Sequence, residues 1–125
     1  AGAIQSKFGR HAHESIKGLE VNNNGVDFLT SANAEVKSVF SGKVTSVFNI
    51  PGAGYNVIVT HGTYKTVYSG LTAANVSVGS QVSSGQSLGT VMDSGEGYLL
   101  HFELWRINET GIGTPQNPEL WIKRR

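Results

Sequence analysis

The chain has 125 residues and a formal net charge of +1. That is the size of one domain, and it gives no excess charge for binding nucleic acid or a membrane surface. The absence of cysteine excludes disulfide bridges and thiolate zinc sites, and no apolar run approaches the roughly 20 residues that a membrane span requires. The opening AGAIQSKFG lacks an initiator methionine and a signal-peptide apolar segment. We therefore expect residues 1–125 to form a single domain, a fragment cut from a longer precursor.

Short β-rich runs bounded by glycine, asparagine, proline and serine follow one another along the chain. Gly62-Thr63 predicts a hairpin turn between two of them, and PELW (118–121) predicts one helical turn. VKSVFSGKVTSV and VSVGSQVSSGQSLGTV echo each other, which favours a compact sandwich of antiparallel hairpins. The predicted strands are AEVKSVF (34–40), GKVTSVFN (42–49), YNVIVTHG (55–62), YKTVYSGL (64–71), QSLGTVMD (86–93) and YLLHFELWR (98–106).

The last predicted strand carries a histidine among large apolar residues. Side chains alternate between the two faces of a strand, so Leu100, Phe102 and Leu104 share one face. This apolar set marks the core side. His101 therefore points away from the core together with Glu103, as a metal ligand, an acid–base group, or a ring whose nitrogens are satisfied by neighbours.

The sequence resembles the LytM/lysostaphin-type zinc metallopeptidases of bacterial cell walls, nearly from end to end. The resemblance implies an all-β fold, a compact antiparallel β-sandwich or barrel of the duplicated hybrid motif type, with a groove along one sheet. The segments that carry it, in the family's order, are FGRHAH (8–13), NNNGVDF (22–28), VKSVFSGKVTSV (36–47), GYNVIVTHG (54–62), YKTVYSGL (64–71), VSVGSQVSSGQSLGTV (76–91) and LLHFELW (99–105).

The same resemblance locates the active-site positions. In active members a His-x-x-x-Asp pair and the second histidine of a His-x-His strand hold zinc, while the first histidine of that strand and a histidine after Tyr-x act in catalysis. Here the zinc positions read Asn23, Asp27 and His101, and the catalytic positions read Leu99 and Gly70. Two of the five positions are kept and three are lost.

These losses imply a domain with no catalytic residue and no bound zinc. Catalytic zinc takes three protein ligands and leaves one position open for water, but Asp27 and His101 are only two, and the neutral amide of Asn23 is a weak donor. Leu99 and Gly70 supply no acid or base, a contribution worth roughly 10²–10⁴ in rate.

Degenerate members of the family, the EnvC-type murein hydrolase activators, are similar at IKGLEV (16–21) and NPELWI (117–122). This second resemblance implies a C-terminal fragment of a longer secreted protein, located in the periplasm or cell envelope. It further implies that the domain binds and activates an N-acetylmuramoyl-L-alanine amidase during peptidoglycan remodelling and cell separation, with peptidoglycan itself as a further partner. Two alternatives stay open. One is a zinc endopeptidase with unusual ligands, and the other is a peptidoglycan-binding module without an enzyme partner. Separately, the His-x-His spacing of His11 and His13 has two interpretations, a metal-capturing pair on a strand or an ordinary exposed polar segment.

The vacated groove is the expected partner-binding surface. Apolar side chains in it would seat the apolar face of a partner helix, with Lys17, Glu103 and Arg106 as a polar rim. The predicted groove residues are Lys17, Leu19, Asn23, Asp27, Tyr68, Gly70, Tyr98, Leu99, His101, Glu103 and Arg106.

Overall fold

The computed structural model describes residues 3–6, 8–12, 20–95 and 97–118, and strands dominate this part of the chain. Most strands are short and follow the β-branched and aromatic runs of the sequence. Their bounds are β1 (Ala3–Ser6), β2 (Gly9–Ala12), β3 (Glu20–Asn23), β4 (Val26–Thr30), β5 (Glu35–Lys37), β6 (Gly42–Ile50), β7 (Gly54–His61), β8 (Tyr64–Ala74), β9 (Gln81–Val82), β10 (Ser87–Val91), β11 (Tyr98–Ile107) and β12 (Gly113–Gln116).

Ten of these strands form one sheet, and β2 and β3 form a separate pair. The main path runs β1-β4-β11-β8-β7-β6-β9, with β10 joining β5 to β8 and β12 attached to β11. Each pairing is antiparallel. The predicted all-β antiparallel fold is thus confirmed. Within it, β11 lies between β4 and β8 and is the strand on which the site is built.

The core lies against one face of the sheet. Alternation along β7, β8 and β11 buries every second side chain there, and two rings, Tyr68 and Phe102, meet with centroids 5.2 Å apart. Tilted ring pairs of this kind add to the stabilisation from burial alone. The buried apolar residues are Val26, Val36, Val44, Val57, Val59, Tyr68, Leu71, Val82, Leu88, Val91, Phe102 and Leu104.

The two echoing sequence segments pair with each other. The first contributes β5 and most of β6, the second contributes β9 and β10, and β5 pairs with β10 while β6 pairs with β9. Ser38 at the end of the first pair donates its N–H to Gln86 O at 2.9 Å and accepts from Gly85 N at 2.7 Å. The two repeated segments therefore pair with each other within one continuous sheet.

The predicted turn at Gly62-Thr63 is confirmed as the connection between β7 and β8. Gly62 has φ of 65°, a left-handed conformation that glycine adopts without strain. The predicted helical turn at 118–121 lies mostly outside the described residues, of which only Pro118 belongs to it. In the described ranges, the structure contains no helix with the length and apolarity to cross a membrane.

Candidate functional site

The candidate site lies on the face of the sheet that points away from the core. His101 of β11 stands opposite Asp27 of β4 on one side and opposite Ser69 of β8 on the other. Because all three strands are antiparallel neighbours, alternation brings these side chains to one level of the same face.

The predicted assignment of faces in β11 is confirmed. Phe102 and Leu104 lie in the core, 2% and 1% exposed. His101 and Glu103, which alternate with them along the strand, lie half-buried on the outer face. One strand therefore supplies both core residues and site residues.

His101 lies between two carboxylates. Its Nδ1 is 2.6 Å from Asp27 Oδ1 and its Nε2 is 2.6 Å from Glu103 Oε2. The indole N–H of Trp105 donates to the other Glu103 oxygen at 2.7 Å. We call Asp27, His101, Glu103 and Trp105 the histidine network. It joins β4 to β11 through hydrogen bonds to charged groups, which are shorter and stronger than neutral ones.

The network changes the protonation of its members. Burial lowers the pKa of His101, but the hydrogen bonds and negative charges of Asp27 and Glu103 outweigh burial and raise this pKa to about 9. In return, the hydrogen bond from His101 holds the pKa of the Glu103 carboxyl below its ordinary value. Near neutral pH the ring is therefore an imidazolium that donates both N–H groups to carboxylates.

Asn23 adjoins the network at the end of β3. Its Nδ2 donates to Asp27 Oδ2 at 3.2 Å, and its Oδ1 accepts the backbone N–H of Gly25 at 3.0 Å. The amide oxygen, which is the metal-binding atom of an asparagine, thus supports the turn between β3 and β4. Asn23 consequently positions Asp27 and presents a donor N–H to it.

These residues do not fit a catalytic zinc ion. Asp27 and the Nδ1 of His101 converge, but Asn23 offers an engaged neutral amide where a third strong ligand is required. Glu103 cannot fill that place, because it contacts the opposite nitrogen of the ring. Over the described ranges no three His, Cys, Asp or Glu side chains are grouped to hold a metal. The expectation that the domain binds no zinc stays a prediction, which this donor set supports.

A groove of about 330 Å³ opens beside the network. Four of the predicted groove residues, Asp27, Gly70, Leu99 and His101, line it. Sequence reasoning missed the rest of the lining, which comes from the β6–β7 loop, from β8 and from the segment after β10. These additional residues are Gly52, Ala53, Ser69, Met92 and Ser94. For the first two, the available signal is the glycine-rich stretch NIPGAGY (49–55), whose proline and glycines indicate a loop.

Gly70 serves the backbone as well as the groove. It is the extra residue of a β-bulge, because the consecutive β7 residues Tyr55 and Asn56 pair with Leu71 and Ser69. Its φ is 90°, and a Cβ there would lie 2.8 Å from Leu99 O. A side chain at this position would therefore strain the strand and press on β11.

Three predicted groove residues lie elsewhere. Tyr68 is 1% exposed on the core face, where its hydroxyl accepts the N–H of Val39 at 2.9 Å. Tyr98 packs against the same core. Arg106 is exposed and borders a separate polar hollow of about 550 Å³. Tyr98 and Arg106 alternate with the groove residues along β11, and Tyr68 pairs directly with Phe102, so all three lie off the groove face.

His61 does not line the groove. His61 is held at a corner of the sheet, with Nδ1 2.7 Å from Ser41 O and Nε2 2.7 Å from Thr66 Oγ1, so its ring is a structural element. Lys17, Leu19 and His13 lie outside the described residues, as does the side chain of His11, so their predicted roles stay predictions.

Residues 21–118 match peptidase family M23. The chain is 35% identical over 89% of its length to the murein hydrolase activator EnvC of Escherichia coli, covering 26% of that protein. It is 38% identical over 65% of its length to the peptidoglycan DD-endopeptidase ShyA of Vibrio cholerae, covering 20% of that protein. The solved structure of LytU superposes with a TM-score of 0.78 at 23% identity, over 97% of this chain and 84% of that one.

The chain belongs to peptidase family M23, the LytM type of domain. It spans about a quarter or less of the length of the relatives EnvC and ShyA. The resemblance read from the sequence is confirmed at the level of the family and of the fold.

Proposed function

We propose that this domain is a catalytically inactive M23 domain that binds and activates an N-acetylmuramoyl-L-alanine amidase through its groove. The amidase would cleave peptidoglycan during wall remodelling and cell separation, and the M23 domain would supply only a binding surface. In this proposal the domain acts in the periplasm or cell envelope.

The single observation that carries this proposal is the closed histidine network. At the family's zinc positions there is one histidine, His101, and both of its ring nitrogens form hydrogen bonds, one with Asp27 and one with Glu103. Leu99 and Gly70, at the catalytic positions, can neither accept nor donate a proton through a side chain. General acid–base help is worth roughly 10²–10⁴ in rate, so a site without it and without a complete ligand set supports little hydrolysis.

The groove itself has the properties of a small docking surface. Leu99, Met92 and Ala53 give it apolar walls, and Leu29, which pairs with Leu99 across β4 and β11, is 40% exposed. Burying one leucine side chain is worth roughly 1.5–3 kcal/mol. Two or three such anchors approach the roughly 5.5 kcal/mol that moves a partner from 1% to 99% active.

The similarity to EnvC supports an amidase as partner, since that relative is named a murein hydrolase activator. The similarity to ShyA, named a peptidoglycan DD-endopeptidase, keeps cleavage by this domain as the second candidate. The missing third ligand at Asn23 argues against it. The third candidate is a peptidoglycan-binding module, which an experiment has to distinguish from the activator and the peptidase.

The test combines metal analysis with three assays on the same preparation. Zinc is measured in protein purified without added metal and before any chelator is used, and the same preparation is incubated with purified peptidoglycan alone, with an autoinhibited amidase alone, and with both. We expect sub-stoichiometric zinc, no product from the domain alone, and a large increase in amide cleavage when amidase is present. Stoichiometric zinc with cleavage by the domain alone would establish the peptidase. Sedimentation with peptidoglycan but no effect on any amidase would establish the binding module.

A further inference from the structure

The turn between β3 and β4 contains the only Asn-Gly pair of the chain, Asn24 and Gly25. An asparagine followed by glycine is especially prone to deamidation, because glycine has no side chain to hinder attack by its backbone nitrogen on the preceding side chain. Asn24 is exposed, so water and base reach its amide group. Whether the attack takes place depends on how the fold holds the glycine.

The fold requires glycine at position 25. Gly25 is buried immediately before β4, and a Cβ there would collide with the carbonyl oxygen of Phe102 on the neighbouring strand β11. A residue with a side chain therefore does not fit at this position. The chemically sensitive pair can be avoided only by a change at Asn24.

The attacking atom would be the Gly25 nitrogen, and Asn23 binds it. The Gly25 N–H donates to Asn23 Oδ1 at 3.0 Å in a buried hydrogen bond, and Asn23 itself is 7% exposed. To attack, the nitrogen must lose its proton and turn toward the Asn24 side chain, and both changes break this hydrogen bond. The buried Asn23 oxygen would then lose its partner, a cost that opposes the reaction.

We infer that Asn24 is a deamidation site and that the Asn23 side chain protects it in the folded domain. In the reaction the Gly25 nitrogen bonds to Asn24 Cγ and ammonia leaves, which gives a succinimide ring. Water then opens the ring at either carbonyl and leaves aspartate or isoaspartate at position 24. The net change consumes one water, releases one ammonia and needs no oxidant or reductant.

The modification would alter the turn that positions Asp27. Both products carry a new negative charge three positions before Asp27, and isoaspartate also adds one carbon to the backbone between β3 and β4. Asn23 holds both ends of this turn, because its Nδ2 donates to Asp27 Oδ2 at 3.2 Å. The inference is independent of the amidase proposal, since it concerns the covalent integrity of one turn.

The measurement is peptide mapping by mass spectrometry after incubation in mildly alkaline buffer, with the same chain in denaturant as the reference. We expect Asn24 to deamidate at least ~10-fold more slowly in the folded chain, because the turn must open locally before attack. Asn33 is the internal control, since it is exposed but followed by alanine. It should react more slowly in denaturant than Asn24 does.

Two variants at position 23 test the role of the side chain. Asn23→Ala removes the acceptor and should speed deamidation of the folded chain by roughly 10-fold. Asn23→Ser retains a hydroxyl oxygen that accepts the same N–H more weakly, so its rate should lie between the other two. In denaturant the three chains should react at one rate. Unfolding curves show that each variant is folded during the incubation, and the serine variant keeps the test valid if the alanine variant does not fold.

Three results would overturn the inference. Equal rates in the folded and the denatured unmodified chain would show that the fold does not protect Asn24. Folded variants that deamidate no faster than the unmodified chain would show that Asn23 has no protecting role. An Asn24 that stays intact in denaturant would show that the site itself is not reactive.

Discussion

The two faces of β11 have different roles, one in the hydrophobic core and the other in the candidate site. On the core face, Phe102 and Leu104 are almost fully buried among valines and leucines, and what matters is volume and apolar area. On the outer face, His101 and Glu103 are half-buried and joined by short charged hydrogen bonds. The difference indicates that the core face fixes the fold, which leaves the side chains of the outer face free to vary without loss of structure.

The largest expected effect on stability is therefore on the core face. Phe102→Ala removes a ring that is 2% exposed and packs on Tyr68, and should lower the free energy of unfolding by about 3–5 kcal/mol. Denaturant unfolding measures the change. A loss below about 1 kcal/mol would mean that this face is not the main source of stability.

On the outer face, His101→Gln should have an intermediate effect. Glutamine carries no positive charge, so Asp27 and Glu103 lose their shared cation, and the free energy of unfolding at neutral pH should fall by about 1–3 kcal/mol after allowing for partial exposure. The side chain of His101 is 29% exposed, which keeps the expected loss below that of Phe102→Ala. A loss equal to or larger than that of Phe102→Ala would reverse the ranking of the two faces.

The pH dependence of the free energy of unfolding separates the contribution of the outer face from that of the core face. The pKa of His101 is raised from 6.5 to about 9, so its contribution is complete below about pH 6.5 and is lost as pH rises through about 9. The stability difference between the unmodified chain and His101→Gln should shrink by about 1–2 kcal/mol between those values. A difference that stays constant or grows over this window would contradict the imidazolium assignment.

Part of this arrangement was predictable from the sequence. Alternation in YLLHFELW gave the faces of β11, and glycine gave the turn after β7. The same alternation argues against Tyr98 and Arg106 as groove residues, whereas Tyr68 is excluded by its pairing with Phe102 across β8 and β11. Alternation also fails locally at Gly70, where a bulge adds one residue to β8.

The rest of the site depends on contacts that no local pattern specifies. Gly52, Ala53 and Met92 reach the groove because distant strands become neighbours in the sheet. The hydrogen bond between Asp27 and His101 spans 74 positions of the chain.

The smallest expected effect on stability comes from the groove wall. Leu99→Asp changes a partly exposed side chain and should alter the free energy of unfolding by about 1 kcal/mol or less. Its effect should instead be on partner binding, because it places a charge in the apolar contact. Ile112→Asp is the matched control, since Ile112 is 64% exposed in the turn between β11 and β12 and does not line the groove.

The most direct test of the proposed function compares these two variants in amidase activation. With metal-stripped protein and purified peptidoglycan, the unmodified chain and Ile112→Asp should raise the rate of amide cleavage equally, whereas Leu99→Asp should reduce activation by roughly tenfold or more. Full activation by a folded Leu99→Asp variant would contradict the assignment of the groove as the surface that acts on the amidase.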